Sequence, residues 1–167
     1  MANSTAKRVL LYRFDRQPLE GMVNASAGLF EERIELITPA GALHSAALEE
    51  IKALCFTSMI AAPQDLFTSH NLFERRPKSP GLWARFTFRD GDRLEGMLPP
   101  NLLEWPGGGY LIVPPRPGSA RQRVFIPRPA LRATELLGVI GAQARLAVER
   151  RKPAAARDPN QINMFEL

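Results

Sequence analysis

Along residues 82–89, Leu82, Ala84, Phe86 and Phe88 alternate with Trp83, Arg85, Thr87 and Arg89. A period of two puts the apolar set on one face of an extended chain and the polar set on the other, the pattern of a half-buried strand. Asp90-Gly91-Asp92 follows, and a glycine there accepts the positive φ of a tight hairpin turn. The return strand is Arg93 to Leu98. Similar short apolar runs, punctuated by Ala40-Gly41 and by Pro114 to Gly118, predict strands near 8–14, 18–24, 32–38, 42–47 and 51–56. A second set is predicted near 82–89, 93–98, 109–114, 122–127 and 131–136.

The two sets share a tetrapeptide, Leu19-Glu20-Gly21-Met22 and Leu94-Glu95-Gly96-Met97. With these superposed and one extra residue allowed upstream, Phe14 falls over Phe88, Tyr12 over Phe86, Leu10 over Ala84 and Val9 over Trp83. Downstream, Ile34 to Pro39 lies over Tyr110 to Pro115. Leu48 to Ala53 meets Pro129 to Ala133 with a small shift. One plan used twice explains these matches together, whereas chance explains only the tetrapeptide. A glycine inside a strand marks a bulge, a bend or a close backbone approach. Gly21 and Gly96 are therefore expected to bend their strands, with Glu20 and Glu95 pointing outward.

This strand, turn and Leu-x-Gly plan resembles the Sm-like or Hfq-like small barrel. The segment FTFRDGDRLEGMLPPNLL, with the later GGGYLIVPP and QRVFIPRPALRATELLGVIG, is also similar to an uncharacterised bacterial domain family of acidobacterial type. The resemblance covers about residues 7–60 and 81–141 and implies an architecture without an activity. The Sm-like RNA pocket has an Asp and an Asn after the bent strand and an Arg-Gly pair near the fourth strand. Here Asn24-Ala25-Ser26-Ala27-Gly28, Pro99-Pro100-Asn101 and Arg123-Val124-Phe125 stand in those places, so uridine binding is not carried over. Asn24 to Gly28 also resembles the cyclic-dinucleotide motif of PilZ barrels. It is one residue short, with Arg13 and Arg16 lying before it.

The expected fold is thus mainly β: two tandem small bent-sheet or Sm-like barrels at 7–60 and 81–138. A disordered N-terminus (1–6) precedes them. A linker (61–80) joins them, in which Leu66, Phe67, Leu72 and Phe73 predict a short packed helix. Leu136, Leu137, Ile140, Ala144 and Val148 recur at helical spacing and predict a helix over 139–151. Arg150, Arg151 and Lys152 at its end suit the helix dipole. The last part, 152–167, reads as a flexible spacer ending in Gln161-Ile162-Asn163-Met164-Phe165. That pentapeptide resembles the bacterial sliding-clamp-binding motif. The resemblance implies a glutamine amide on a polar rim, with Ile162, Met164 and Phe165 in apolar pockets.

Charge and chemistry narrow the function. The net charge is +5. It is uneven, with Glu20, Glu31, Glu32, Glu35, Glu49 and Glu50 in residues 17–60. Residues 105–134 hold Arg116, Arg121, Arg123, Arg128 and Arg132 without an acid. Trp83, Arg85 and Arg89 share a strand face that Arg116, Arg121 and Arg123 could flank, so RNA or single-stranded DNA is the alternative partner. Trp83 sealing an interface between the two copies is the simpler reading. His44, His70 and Cys55 lack metal-ligand spacing and read as structural. Gly107-Gly108-Gly109 precedes a strand and so reads as a turn, not a phosphate cradle. No nucleophile or metal motif recurs, which predicts a non-enzymatic interaction or adaptor module with neither cofactor nor metal. A protein partner is expected, the sliding clamp being one candidate. One cysteine and no secretory or membrane-length apolar segment predict a reducing, cytoplasmic setting.

Overall fold

A computed structural model describes residues 6–15, 17–24, 32–58, 66–67, 71–117 and 122–141. The described chain is built on antiparallel strands: β1 (Ala6–Arg13), β2 (Leu19–Asn24), β3 (Arg33–Ile37), β4 (Leu43–Ala47) and β5 (Ile51–Phe56), then β6 (Gly81–Phe88), β7 (Arg93–Leu98), β8 (Gly109–Ile112), β9 (Arg123–Pro127) and β10 (Leu131–Ile140). Each predicted strand has its counterpart.

The strands form two open sheets, not two closed barrels. One runs β4-β3-β2-β1-β5-β9-β8, and the other β10-β6-β7. A bridge from Met97 to Val113 joins β7 to β8 across the gap between the sheets. The first five strands lie in the order 4-3-2-1-5. Followed through that bridge, the last five lie in the same order, as β9-β8-β7-β6-β10. The expected barrels fail to close because β5 and β9, which would have to close them, pair with each other. Leu54 stands opposite Phe125, Cys55 opposite Val124 and Phe56 opposite Arg123.

The registers correct the superposition drawn from sequence. Val9 faces Gly21 and Leu11 faces Leu19, just as Ala84 faces Gly96 and Phe86 faces Leu94. No extra residue is needed, so Val9 corresponds to Ala84, Leu11 to Phe86 and Arg13 to Phe88. A shared irregularity supports this. The β1–β5 register skips Lys52, and the β10–β6 register skips Arg132. Where Ala84 is smaller than Val9, Phe86 is larger than Leu11, so each core keeps its filling.

Two cores result. One gathers Val9, Leu11, Val23, Ile34, Leu36, Leu54 and Phe125. The other gathers Leu10, Tyr12, Cys55, Phe86, Phe88, Leu94, Ile112 and Val124. β1 is apolar from Val9 to Tyr12 because its two faces serve different cores, which is why its alternation was weak in the sequence. Cys55 is buried, as expected of a core residue.

Two further expectations change. The helix predicted over 139–151 does not start where expected: β10 stays paired with β6 as far as Ile140 opposite Gly81. A register shift between Leu136 and Gly138 inserts a residue into the alternation. That shift is what gave Leu136, Leu137 and Ile140 a helical spacing. The rest of that predicted helix lies outside the described residues. In the linker, Leu66 and Phe67 occupy a turn and the described residues from 71 to 80 form no helix. Leu66 is buried, and the Phe67 ring packs edge-on to Tyr12 and Phe88 at 5.7 and 5.1 Å. No helix among the described residues is long and apolar enough to cross a membrane.

A charged clasp closes the second core near the β6–β7 turn. Lys52, buried at its bulge, has its ammonium 4.0 Å from the Phe67 ring centroid. It donates to Asp90 at 2.6 Å and also to Asp92. Gly91 makes the turn possible with φ 97°. Burial by itself raises the Asp90 pKa, but the Lys52 hydrogen bond and charge, with local backbone hydrogen bonds, outweigh it and hold the carboxyl below its ordinary value. A depressed carboxylate contributes stability above its unfolded pKa, and that stability is lost as pH falls through the folded one. Unfolding stability should therefore drop as pH falls below about 4, and less steeply in Asp90→Asn. Lys52→Met keeps the stem but leaves two like charges facing each other, and should cost about 1–2 kcal/mol in urea melts at neutral pH.

Candidate functional site: an apolar cleft beside the bent strand

Gly96 sits in β7, and a Cβ built there would lie 2.4 Å from Cδ1 and 2.8 Å from Cβ of Ile112. Only glycine lets β8 pass this close. Gly21 does the same in β2, where a Cβ would lie 2.3 Å from Leu36 Cδ1. Leu36 and Ile112 occupy matching places in β3 and β8.

At Gly96 the outer edge of β7 changes partner. Before it, the Glu95 N–H donates to the Asn71 carbonyl at 2.7 Å. After it, Met97 and Val113 exchange two backbone hydrogen bonds of 2.9 Å. Segment 71–80 and β8 thus leave β7 in different directions, and a cleft of about 350 Å³ opens between them. Its floor is Met97, Leu98, Leu111, Ile112 and Val113. Its walls carry Phe73, Pro77, Pro80, Pro99, Pro114 and Pro117, with Lys78, Arg123 and Glu104 at the margin. Prolines suit such walls because they present rigid apolar rings and withhold backbone donors. Val113 is 37% exposed there. The margin is fixed by Trp105 Nε1 donating to the Pro99 carbonyl at 3.0 Å and by an ion pair between Arg116 and Glu74.

Glu95 holds the cleft's outer wall in place. It is 2% exposed, not outward-facing as the strand alternation suggested. Its Oε1 accepts from Arg85 Nε and Nη2 at 3.0 and 2.8 Å. Its Oε2 accepts from Trp83 Nε1 at 3.1 Å and from the Phe73 N–H at 3.0 Å. Asn71 Nδ2 adds a bond to the Arg93 carbonyl at 2.7 Å. The matching Glu20 is half-buried and meets Arg8 at 3.7 Å. Burial of Glu95 comes from a segment more than twenty residues away in sequence, which strand alternation could not show.

Of the residues proposed for nucleic acid, most of the described ones are engaged within the protein. Trp83 and Arg85 are bound to Glu95, and Arg85 also meets Glu135 at 3.7 Å. Trp83 packs edge-on to Phe73 at 6.2 Å and so seals the wall of the cleft rather than an interface between the copies. Arg89 lies over the Phe14 ring at 3.9 Å and donates to the Glu49 carbonyl at 2.9 Å. Arg116 is paired with Glu74, and Arg123 stands at the cleft margin. Arg121 lies outside the described residues, as do His70, Ala25 to Gly28, and Gln161, Ile162, Met164 and Phe165 of the terminal motif. His44 lies in β4, and no group of three or more His, Cys, Asp or Glu among the described residues could hold a metal ion.

The cleft itself was missed in the sequence. Its available signals were the prolines crowded at 77–80, 99–100 and 114–117, which flank strand ends on both sides of Gly96. A model for a family described as a family of unknown function (DUF6982) matches residues 5–138. No curated protein and no solved structure matches the chain.

Proposed function

Because the chain belongs to the DUF6982 family, whose function is unknown, no activity reaches it through relationship, and we propose from its geometry that it is a non-enzymatic interaction module. The cleft beside Gly96 receives an extended apolar peptide segment. The observation that carries this reading is the apolar cleft between proline walls, with Val113 exposed on its floor. Such concave apolar sites with a few polar groups at the margin are the common form of binding site. Lys78 and Arg123 at that margin favour an acidic flank on the bound segment.

The terminal Gln161, Ile162, Met164 and Phe165 form a second contact in this proposal, for a partner groove such as that of a bacterial sliding clamp. The Sm-like likeness of the two halves is our reading of their common strand order and glycine close approach, without barrel closure. A single cysteine, buried in the core, supports a cytoplasmic setting. Nucleic-acid binding through Arg121 and Arg123 would be favoured instead by salt-dependent retention of a single-stranded oligonucleotide, lost when both arginines are replaced.

Selection from a random peptide display library tests the cleft. Extended apolar sequences with an acidic flank should be enriched on the wild-type protein. Val113→Glu, which sets a carboxylate on the cleft floor at an already exposed position, should weaken their binding roughly tenfold or more. An unproductive selection, or peptides that bind the variant equally well, would overturn the reading.

A further inference from the structure

The seam inside the chain is a template for a seam between chains. Within the chain, β5, the last strand of the first five, pairs along its outer edge with β9, the fourth of the second five. The strands in matching places are β10 and β4. Each is the outermost strand of its sheet. Both therefore present a row of backbone donors and acceptors to which no other described strand is paired.

The registers say which residues correspond. Leu36 faces His44 and Glu35 faces Ser45, as Ile112 faces Val124 and Leu111 faces Phe125. Leu11 faces Leu54, Leu10 faces Cys55 and Val9 faces Phe56, as Phe86 faces Thr134, Arg85 faces Glu135 and Ala84 faces Leu136. If β10 of one chain lay on β4 of another in the register of the internal seam, Thr134 would face Ser45, Glu135 would face His44, and Leu136 would face Leu43.

Each of those three pairs is chemically matched. Two hydroxyls meet, a carboxylate meets an imidazole, and two leucines meet. Cross-strand pairs of these kinds stabilise antiparallel sheets. Leu43 and Leu136 are also among the most exposed large apolar side chains described, at 67% and 61%. No described residue covers them, and this seam would. We propose that the protein self-associates head to tail, β10 of one copy adding to β4 of the next. The contact is heterologous: each chain carries one edge of each kind, so one β10–β4 contact leaves a β4 and a β10 open, and copies add until a ring closes or a filament grows.

Two variants with single charges on the exposed edges, Leu43→Asp and Leu136→Asp, test this by sedimentation velocity on the full chain. The wild type should sediment as assemblies of several copies at high micromolar concentration. Each variant alone, with its fold confirmed by circular dichroism, should be monomeric. Mixed in equal amounts, they should form a one-to-one heterodimer and stop there, because the mixture keeps one intact β10 and one intact β4. Complementation to a dimer is peculiar to a head-to-tail seam. A wild type that stays monomeric, variants that assemble as the wild type does, or a mixture that stays monomeric would each overturn the proposal. None of these outcomes depends on what the cleft binds.

Discussion

Gly96→Val is expected to destabilise the protein by about 3 kcal/mol, the upper end of what overpacking costs. The new Cβ would lie 2.4 Å from Ile112 Cδ1 and 2.8 Å from its Cβ. Turning the Ile112 side chain moves Cδ1 but leaves Cβ in place, so relief requires β8 to move away from β7. That motion would break the Met97–Val113 bridge, the hydrogen-bonded bridge that joins the two sheets. Gly96→Ala should cost less, because the added methyl carries no branches. Urea unfolding of both variants measures the order. Since β8 supplies part of the cleft's lining, the valine variant should also lose the peptide binding proposed for the cleft. Unchanged stability in Gly96→Val would mean that β8 does not approach β7 at this point.

Glu95→Ala is the second large effect, at about 3 kcal/mol. Glu95 accepts four hydrogen bonds, two of them from the Arg85 guanidinium. Removing one partner of a buried ion pair typically costs 3–5 kcal/mol. The lower figure applies here because Arg85 is partly exposed and keeps Glu135 within 3.7 Å. Trp83 Nε1 and the Phe73 N–H would lose their acceptor. Segment 71–80 would then be held mainly by Asn71, to β7, and by the Arg116–Glu74 ion pair, to the chain beyond β8. Trypsin should cut after Arg75 or Lys78 faster in the variant than in the wild type. Equal cutting rates alongside an equal unfolding midpoint would show that Glu95 does not anchor the wall.

The strands were legible because their alternation is local. Leu82 to Arg89 announces both its faces, and Asp90-Gly91-Asp92 announces its turn. What the sequence could not display is pairing between distant edges. Nothing in Leu54-Cys55-Phe56 says that its outer neighbour is Arg123-Val124-Phe125 rather than a strand of its own half. That one choice decides between two closed barrels and two open sheets. The start of the helix expected over 139–151 was misplaced for a related reason: the bulge near Leu137 shifts the alternation phase, and a shifted period of two looks helical over five residues.

The candidate site was less legible than the fold. Trp83, Arg85 and Arg89 were visible as a polar face, but a polar face does not tell whether its partners are ligands or protein groups. The turn at Gly91 did contain the answer for Arg85, since a hairpin folded there places Arg85 opposite Glu95. Burial of that pair by Asn71 to Phe73 was not recoverable, because the covering segment has neither period nor motif. The cleft's floor is likewise assembled from β7 and β8, which touch only because residue 96 lacks a side chain.

The most direct test of peptide reception beside Gly96 is an amide chemical-shift titration of the ¹⁵N-labelled full chain with a display-selected peptide. The predicted result is a saturable set of shifts centred on Met97, Leu98, Leu111 and Val113 and reaching Lys78 and Arg123, absent in Val113→Glu. Shifts centred elsewhere, such as on Arg85, Arg89 and Arg132, or no saturable shifts, would contradict it.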